Sequence, residues 1–355
     1  MKGVTALSSN YELYADLSTK MMEVIGRFAP EQHIYSIDES FLSFHHCFPA
    51  IVDMREHGAL LRRTVWKECR IPVCVGMGET LTLAKIANHA AKKIPGYQGV
   101  CVIDNEPERI DVLKQLDAAD VWGIGRHISA RLKHMGINSA YSLAQYSPQQ
   151  ARWDFSVEVE RTVRELNGIS CKGWDAARTD KKQIYSTRSV GERITDIASL
   201  QQALSKHAGI AANKACKQHS LCRVMLCFAS NSPFDDQPAS FRSVHYFPYP
   251  TSDSTQLVKI ASEATSQLFK PDVRYYKIGV GLIELVDGRH EQLDLLNSNS
   301  GNDKLMQVFD ALNDKYGTDT LFLGAQGIEQ KWHMRRDMLT PQYTTKWRDV
   351  PVIKC

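Results

Sequence analysis

Tyr35-Ser36-Ile37-Asp38-Glu39-Ser40-Phe41-Leu42-Ser43-Phe44 sets two adjacent carboxylates between two short runs of aromatic and β-branched residues. That pattern predicts strand, tight turn, strand. Asp38 and Glu39 then sit at a hairpin tip, or on the first residues of the return strand. Hard divalent cations seek carboxylate oxygens held on rigid backbone, and phosphoryl-transfer sites use them to hold metal ions. Acidic pairs at turns are more often simply solvated. Taken alone, the hairpin favours the solvated reading; the rest of the chain shifts the balance.

With 355 residues, the chain can form two or three domains with real cores. It is 43% hydrophobic and 23% charged, an ordinary globular composition. No run approaches the roughly 20 apolar residues that span a bilayer, and Met1 to Ser9 lacks the apolar core of a signal peptide. Nine scattered cysteines without a C-x-x-C pair give no zinc pattern and suit a reducing cytoplasm, with thiols as small apolar filler. Net charge is only +3, but Lys181 to Leu285 holds 13 Lys and Arg against 8 Asp and Glu, a local +5 that leaves −2 for the remainder. A basic module beside an acidic-tipped one suits a polyanion partner, although ordinary surface variation can produce the same imbalance.

Gly3 to Leu7 reads as a short strand, and Ser9 with Glu12 as a capping box for a helix ending near Pro30. After the hairpin, a helix over Val52 to Glu68 is expected to bury Leu60, Leu61, Val65 and Trp66. Ile71 to Gly78 reads as a buried strand, Thr80 to Lys93 as a helix, and Gly99 to Ile103 as another strand. Strand–helix alternation makes residues 1 to about 105 an α/β layer around one sheet. Lys85 and Lys92, seven apart, share a face of the second helix. Solvated lysines on an amphipathic helix are the commoner case, yet lysines aimed at the carboxylates could hold a triphosphate.

Asp120-Val121-Trp122-Gly123-Ile124-Gly125-Arg126-His127 is more specific. Within Leu116 to Leu143 it reads as helix, Gly-apolar-Gly turn, helix, similar to a helix–hairpin–helix. Glycines let backbone N–H groups approach a DNA phosphate at a helix N-terminus, with Arg126 and Lys133 adding charge. A plain αα-hairpin is the alternative. Residues 151 to 180 read as mostly helical with Arg161, Arg164 and Glu165 exposed, and Trp174 to Thr179 as a linker. From Gln183 the order strand, helix, strand, strand, helix, strand predicts a four-stranded β-α-β-β-α-β module. Arg188, Arg193, Lys214, Lys217, Arg223, Arg242, Arg274 and Lys277 would decorate it, a basic surface able to follow a duplex backbone. A further helix is expected over Lys304 to Lys315, and the Trp332-to-Trp347 tail is too apolar for a disordered end.

Together these parts resemble the UmuC-type subunits of the Y-family translesion DNA polymerases. The likeness runs over the whole chain and rests on Ser8-to-Asp16, Tyr35-to-Ser40, Leu83-to-Lys93, Asp120-to-Arg126, Ser189-to-Asp196 and Gly327-to-Thr345. It implies an α+β multidomain fold: an incomplete palm over 1–105, a helical thumb with a helix–hairpin–helix over 106–180, and a little finger over 183–286. A linker with a clamp-binding-like peptide over 287–301 and a C-terminal accessory domain over 302–355 complete it. It further implies Asp38 and Glu39 as part of a site for two Mg²⁺ ions, and Lys92, with Lys85, near an incoming deoxynucleoside triphosphate. Gly123, Ile124, Gly125, Arg126, Lys133, Arg188 and Arg193 would meet damaged or primed DNA. Gln292, Leu293, Leu295 and Leu296 would dock on a sliding clamp, with Leu296 where the family often has phenylalanine. The tail would meet a UmuD′-type subunit and RecA in the SOS response to DNA damage.

One departure stands out. The family begins with a strand ending in a metal-binding aspartate, then an aromatic residue that excludes ribonucleotides, then small fingers; nothing in this sequence matches them. In two-metal chemistry the absent aspartate helps hold both ions, so its loss is expected to cost several orders of magnitude in rate. The palm sheet would also lack a strand and expose an edge. The leading expectation is thus a cytoplasmic translesion polymerase subunit, inactive or impaired as this chain. The alternative is a non-catalytic DNA- and clamp-binding remnant or regulator. A helix–hairpin–helix glycosylase or nuclease explains only the glycine turn.

Overall fold

The computed structural model describes residues 3–45, 47, 50–174, 180–289, 303–317, 319–328 and 331–353. They divide into two compact units, one of residues 9–176 with 339–355, the other of residues 1–8 with 177–338.

In the first unit, α1 (Tyr11–Gly26) leads into the antiparallel hairpin β1 (Glu31–Ile34) and β2 (Ser40–Ser43). Helix α2 (Met54–Cys69), β3 (Val75–Gly78), α3 (Leu81–Lys93) and β4 (Val100–Ile103) follow, with β3 and β4 parallel. The expected single sheet is replaced by two separate two-stranded ones, β1-β2 and β3-β4. Among the described residues no strand lies between them, so β2 and β3 each keep one unpaired edge. For the same reason Val75–Gly78 is half-buried rather than fully buried. Gly76 is required by close approach: a Cβ there would lie 1.9 Å from the backbone nitrogen of Asn88, so only glycine lets α3 lie on β3.

The N-terminal readings need correction. Gly3 to Leu7 forms no strand, and α1 is capped by Asn10 rather than by a Ser9–Glu12 box. The Asn10 Oδ1 accepts from the Leu13 N–H at 3.3 Å, while its amide donates to the Thr340 carbonyl at 2.9 Å. Serine has no second polar arm with which to do both. On α2, Gly58, Leu61, Val65 and Cys69 are buried at helical spacing, whereas Leu60 and Trp66 lie off that stripe and are about half exposed.

Short helices complete this unit: α4 (Glu106–Gln115), α5 (Arg126–His134), α6 (Ala140–Ala144), α7 (Pro148–Asp154) and α8 (Val157–Leu166). Leu113, Leu132, Leu143, Val163 and Leu166, all fully buried, share one core with Ile86, Ala87 and Ala90 of α3. Glu165, expected at the surface, is fully buried. It earns that position by satisfying donors: its carboxylate accepts from the Thr82 N–H and hydroxyl at 3.0 and 2.6 Å, and from the Cys171 and Lys172 N–H groups at 3.2 and 2.8 Å.

The second unit has the expected element order: β5 (Ile184–Ile194), α9 (Ile197–Lys217), β6 (Ser220–Ser230), β7 (Ser240–Thr251), α10 (Ser254–Leu268) and β8 (Tyr275–Asp287). The sheet is antiparallel throughout, in the order β5-β8-β6-β7. Apolar residues of α9 and α10 pack onto it around Leu204, Met225, Leu257 and Tyr275. After α11 (Asp303–Tyr316) the chain returns to this unit, and Trp332 enters the same core at 4% exposure. The tail thus packs on the body, because an indole buries more apolar area than any other side chain.

Candidate functional site

The acidic hairpin closes through the Tyr35 and Ser36 N–H groups, which both donate to the Glu39 carbonyl, at 3.0 and 3.1 Å. The Ser18 hydroxyl on α1 donates to the Ile37 carbonyl and pins the turn from outside. Asp38 is exposed and accepts from the Ser36 hydroxyl at 2.5 Å. Glu39 is half-buried, and Lys85 Nζ on α3 donates to its Oε1 at 2.5 Å. The same ammonium lies 5.6 Å from the centre of the Tyr35 ring. The two adjacent carboxylates and a lysine remote in sequence thus line one cleft. Lys92 is exposed two turns further along α3 and does not line it.

The tip is braced toward the glycine turn by residues the sequence did not single out. The Trp122 indole N–H donates to the Tyr35 hydroxyl at 3.3 Å, and the two rings meet edge-on at 5.7 Å. Phe41 lies 6.0 Å from both Trp122 and Trp174. Lys172 sits 4.8 Å over the Trp122 ring and donates to the Thr162 hydroxyl at 3.0 Å. Burial lowers the Lys172 pKa, and the Glu165 carboxylate opposes that effect. An alternation of aromatic residues around Asp38 and before Gly123 was the available signal.

The turn itself departs from two full helices. The segment before it is one 3₁₀ turn, Ala118–Asp120, because Asp117 is held in a bridge to Ser139 beyond the end of α4. Gly123 has φ +91°, a conformation that favours glycine. Ile124 is buried beneath the turn. Gly125 is the N-cap of α5 and offers no side-chain cap. Every other helix from α1 to α10 has a capping side chain. No acidic residue occupies the first turn of α5, and Arg126 and His127 there are exposed. Its N-terminal N–H groups therefore face outward with positive partial charge uncompensated from within the turn. Lys133 is exposed in the last turn.

In the second unit Arg188 is exposed on β5. Arg193 is committed elsewhere: it pairs with Asp235 at 2.9 Å and lies 4.9 Å over the Tyr276 ring. Arg223, Arg242 and Lys277 are exposed on strands, whereas Lys214 and Lys217 are on α9, with Lys217 paired to Asp314 at 3.1 Å. The basic residues are thus divided between sheet and helix layers. Gln292, Leu293, Leu295 and Leu296 fall outside the described residues.

Residues 1–89 match the impB/mucB/samB family, residues 181–295 the C-terminal domain of that family, and residues 303–353 a domain of unknown function (DUF4113). Over 361 aligned residues the chain is 38% identical to protein UmuC of Salmonella typhimurium, covering 99% of this chain and 85% of that one. The chain belongs to the impB/mucB/samB family. It is also 34% identical over 354 residues to MucB of Escherichia coli, covering 98% and 83% of the two chains. A DNA polymerase IV of Bacillus anthracis is 24% identical over 337 residues, covering 91% of this chain and 77% of that one. A solved Y-family DNA polymerase chimera matches the fold with a TM-score of 0.55 at 19% identity, over 78% of this chain and 77% of that one. The resemblance to UmuC-type, Y-family translesion polymerases therefore holds at the level of family.

Family membership implies divalent metal ions, so the carboxylates must be tested for them. Asp38 and Glu39 supply two, one of which is engaged by Lys85. Among the described residues no group of three or more His, Cys, Asp or Glu could hold an ion. Mg²⁺ requires six ligands in near-octahedral array, and a pair of ions sharing two carboxylates leaves most of those positions to substrate and water. The donors present do not fit a two-ion cage. Among the described residues no helix is long and apolar enough to cross a membrane.

Proposed function

We propose that this chain is a UmuC-like component of translesion DNA synthesis in the SOS response, acting in the cytoplasm by gripping DNA and carrying part of a nucleotidyl-transfer site. The observation that carries the reading is the meeting of Asp38, Glu39 and Lys85 at one cleft in a chain of this family. In this reading Asp38 and Glu39 are the share of a Mg²⁺ site that this chain contributes, and Lys85 keeps Glu39 paired until a triphosphate draws the ammonium away. Lys92 adds positive charge on the path of that triphosphate. The uncapped α5 N-terminus, with Gly123, Ile124, Gly125, Arg126 and Lys133, holds a DNA backbone phosphate, as a helix–hairpin–helix does. Arg188 and, through its packing on Tyr276, Arg193 serve the β5–β8 module as a little finger. Gln292, Leu293, Leu295 and Leu296 dock on a sliding clamp, and the 303–353 region meets a UmuD′-type subunit and RecA.

Because among the described residues only Asp38 and Glu39 bring carboxylates to the cleft, the chain alone is proposed to be inactive or severely impaired as a polymerase, and to act on DNA and clamp as a binding module unless a third ligand is supplied. Primer extension with Mg²⁺ and deoxynucleoside triphosphates tests this. The expected result is no extension by the purified chain while it still binds primed DNA in a salt-dependent manner. Robust extension that Asp38→Ala abolishes would refute the inactivity, and salt-independent DNA binding would refute the backbone grip.

A further inference from the structure

The stretch between Trp332 and Thr340 leaves the four-stranded unit and joins the first one, and each of its ends is fixed by contacts inside its own unit. At the start, the Trp332 indole lies in the core of the four-stranded unit, its ring centre 6.2 Å from that of His207. The Trp332 carbonyl accepts from the Gly191 N–H of β5 at 3.2 Å. A Cβ at Gly191 would lie 2.3 Å from the His333 carbonyl oxygen, so any larger residue there would push the stretch off the strand. Arg335 pairs with Glu192 at 3.4 Å. Further upstream, Asp310 and Asp314 of α11 meet Asn213 and Lys217 of α9 at 2.8 and 3.1 Å, which lays the chain along this unit before Trp332.

At the other end, the fully buried Asn10 amide donates to the Thr340 carbonyl at 2.9 Å and to its hydroxyl oxygen at 3.0 Å. Asn10 is also the cap of α1, whose Met21, Met22 and Val24 share a core with Leu61 and Val65 of α2. Thr340 is thus tied to the frame of the first unit. Between the two anchors His333, Arg335, Asp337, Met338 and Leu339 are exposed.

Covalent geometry sets a limit. Eight residue steps separate Trp332 from Thr340, and at roughly 3.5 Å each they reach about 28 Å at full extension. The chain also passes from one unit to the other at residues 176–177. That connection enters the four-stranded unit at the start of β5, seven residues before Gly191, or roughly 23 Å along a strand. In the first unit it leaves from Trp174, which stacks on His33 of β1 and not on the start of α1. One connection leaves a body free to swivel. Two connections with separate anchors leave only a hinge about the line that joins them.

We propose that residues 333–339 are a strap that confines the two units to hinge motion. For the DNA reading given above, on which this consequence alone rests, the strap keeps the second DNA-gripping surface within reach once the first is bound and so raises its effective concentration.

The full chain can be spin-labelled through keto-bearing side chains at positions 153 and 234, where Trp153 and Phe234 are 91% and 95% exposed, and the distance between the labels read by pulsed electron resonance. Inserting about twenty Gly and Ser residues between Asp337 and Met338 adds roughly 25 Å of reach and leaves the contacts of Trp332 and Thr340 in place. The distance distribution is expected to broaden at least about twofold, whereas the same insertion between Val352 and Ile353, beyond the strap, leaves it unchanged. The Gly191 and Leu13 amides should stay protected from hydrogen exchange in both variants, because the anchors hold by themselves. Binding of primed DNA should weaken about tenfold with the strap lengthened. An unchanged breadth overturns the strap, and so does equal broadening by the two insertions or loss of protection at Gly191. Broadening with undiminished DNA binding upholds the strap and overturns the joint grip on DNA.

Discussion

Acidification should destabilise the four-stranded unit through His207. This imidazole is 5% exposed, its Nδ1 lies 2.8 Å from the Ser186 hydroxyl, and its ring centre is 6.2 Å from that of Trp332. Its Nε2 is buried without a partner among the described residues, so an N–H there meets no acceptor among them when the ring is protonated. Burial first, then the positive charges of Arg188, Lys214 and Lys206, bring its pKa down from 6.5 to about 4. The unfolded chain therefore takes up a proton near pH 6.5, and the folded one only near pH 4. The resulting stability is present in full above about pH 6.5 and is lost as the pH falls to about 4. At about 1.4 kcal/mol per pH unit, the gap is worth roughly 3 kcal/mol. Asp196 and Asp235, whose carboxyls are held low by the Ser199 N–H and by Arg193, act below this window. Their contribution is present above 3.8 and is lost only as the pH falls past it. Trp332 is the one tryptophan of residues 177–338, so a fluorotryptophan signal reports this unit alone. Urea titrations at pH 7 and pH 4 should show about 3 kcal/mol more loss for the natural chain than for His207→Gln. A difference under about 1 kcal/mol would refute the buried neutral histidine as the cause.

Other outcomes follow from the first unit. Gly125 has φ −79° and open space around its Cβ direction, so Gly125→Asp should fold normally, weaken DNA binding about tenfold and lower the salt slope by about one phosphate contact in fluorescence titrations. Glu165→Ala strands four donors and should cost about 3–5 kcal/mol by chemical denaturation, whereas under 1 kcal/mol would show that water replaces the carboxylate. Gly76→Ala drives a methyl against the backbone of α3 and should lower stability by at least about 2 kcal/mol, with amide exchange accelerating along β3 and α3.

Most of the secondary structure was legible because periodicity and turn chemistry are local. The β-α-β-β-α-β order follows from alternating strands such as Phe241 to Phe247 and helical stripes such as Leu200, Leu204 and Ala208, each decided within a dozen residues. Burial was less legible. Trp66 and Glu165 reversed their expected environments, since exposure depends on which face meets a neighbour and on whether distant donors satisfy a carboxylate. Asn10 displaced the Ser9 cap because its second partner, Thr340, lies 330 residues away.

Alone, the sequence determined the acidic pair, the glycine turn, the basic module and the family they resemble, because each is written in a short run of residue types. Only the tertiary structure decided that Lys85 reaches Glu39 while Lys92 does not, and that Trp122 ties the glycine turn to the hairpin. It alone decided that β2 and β3 face each other across an open cleft. Those are matters of distance between segments remote in sequence, and hydrogen bonding between strands depends on which edges are brought within about 5 Å of each other.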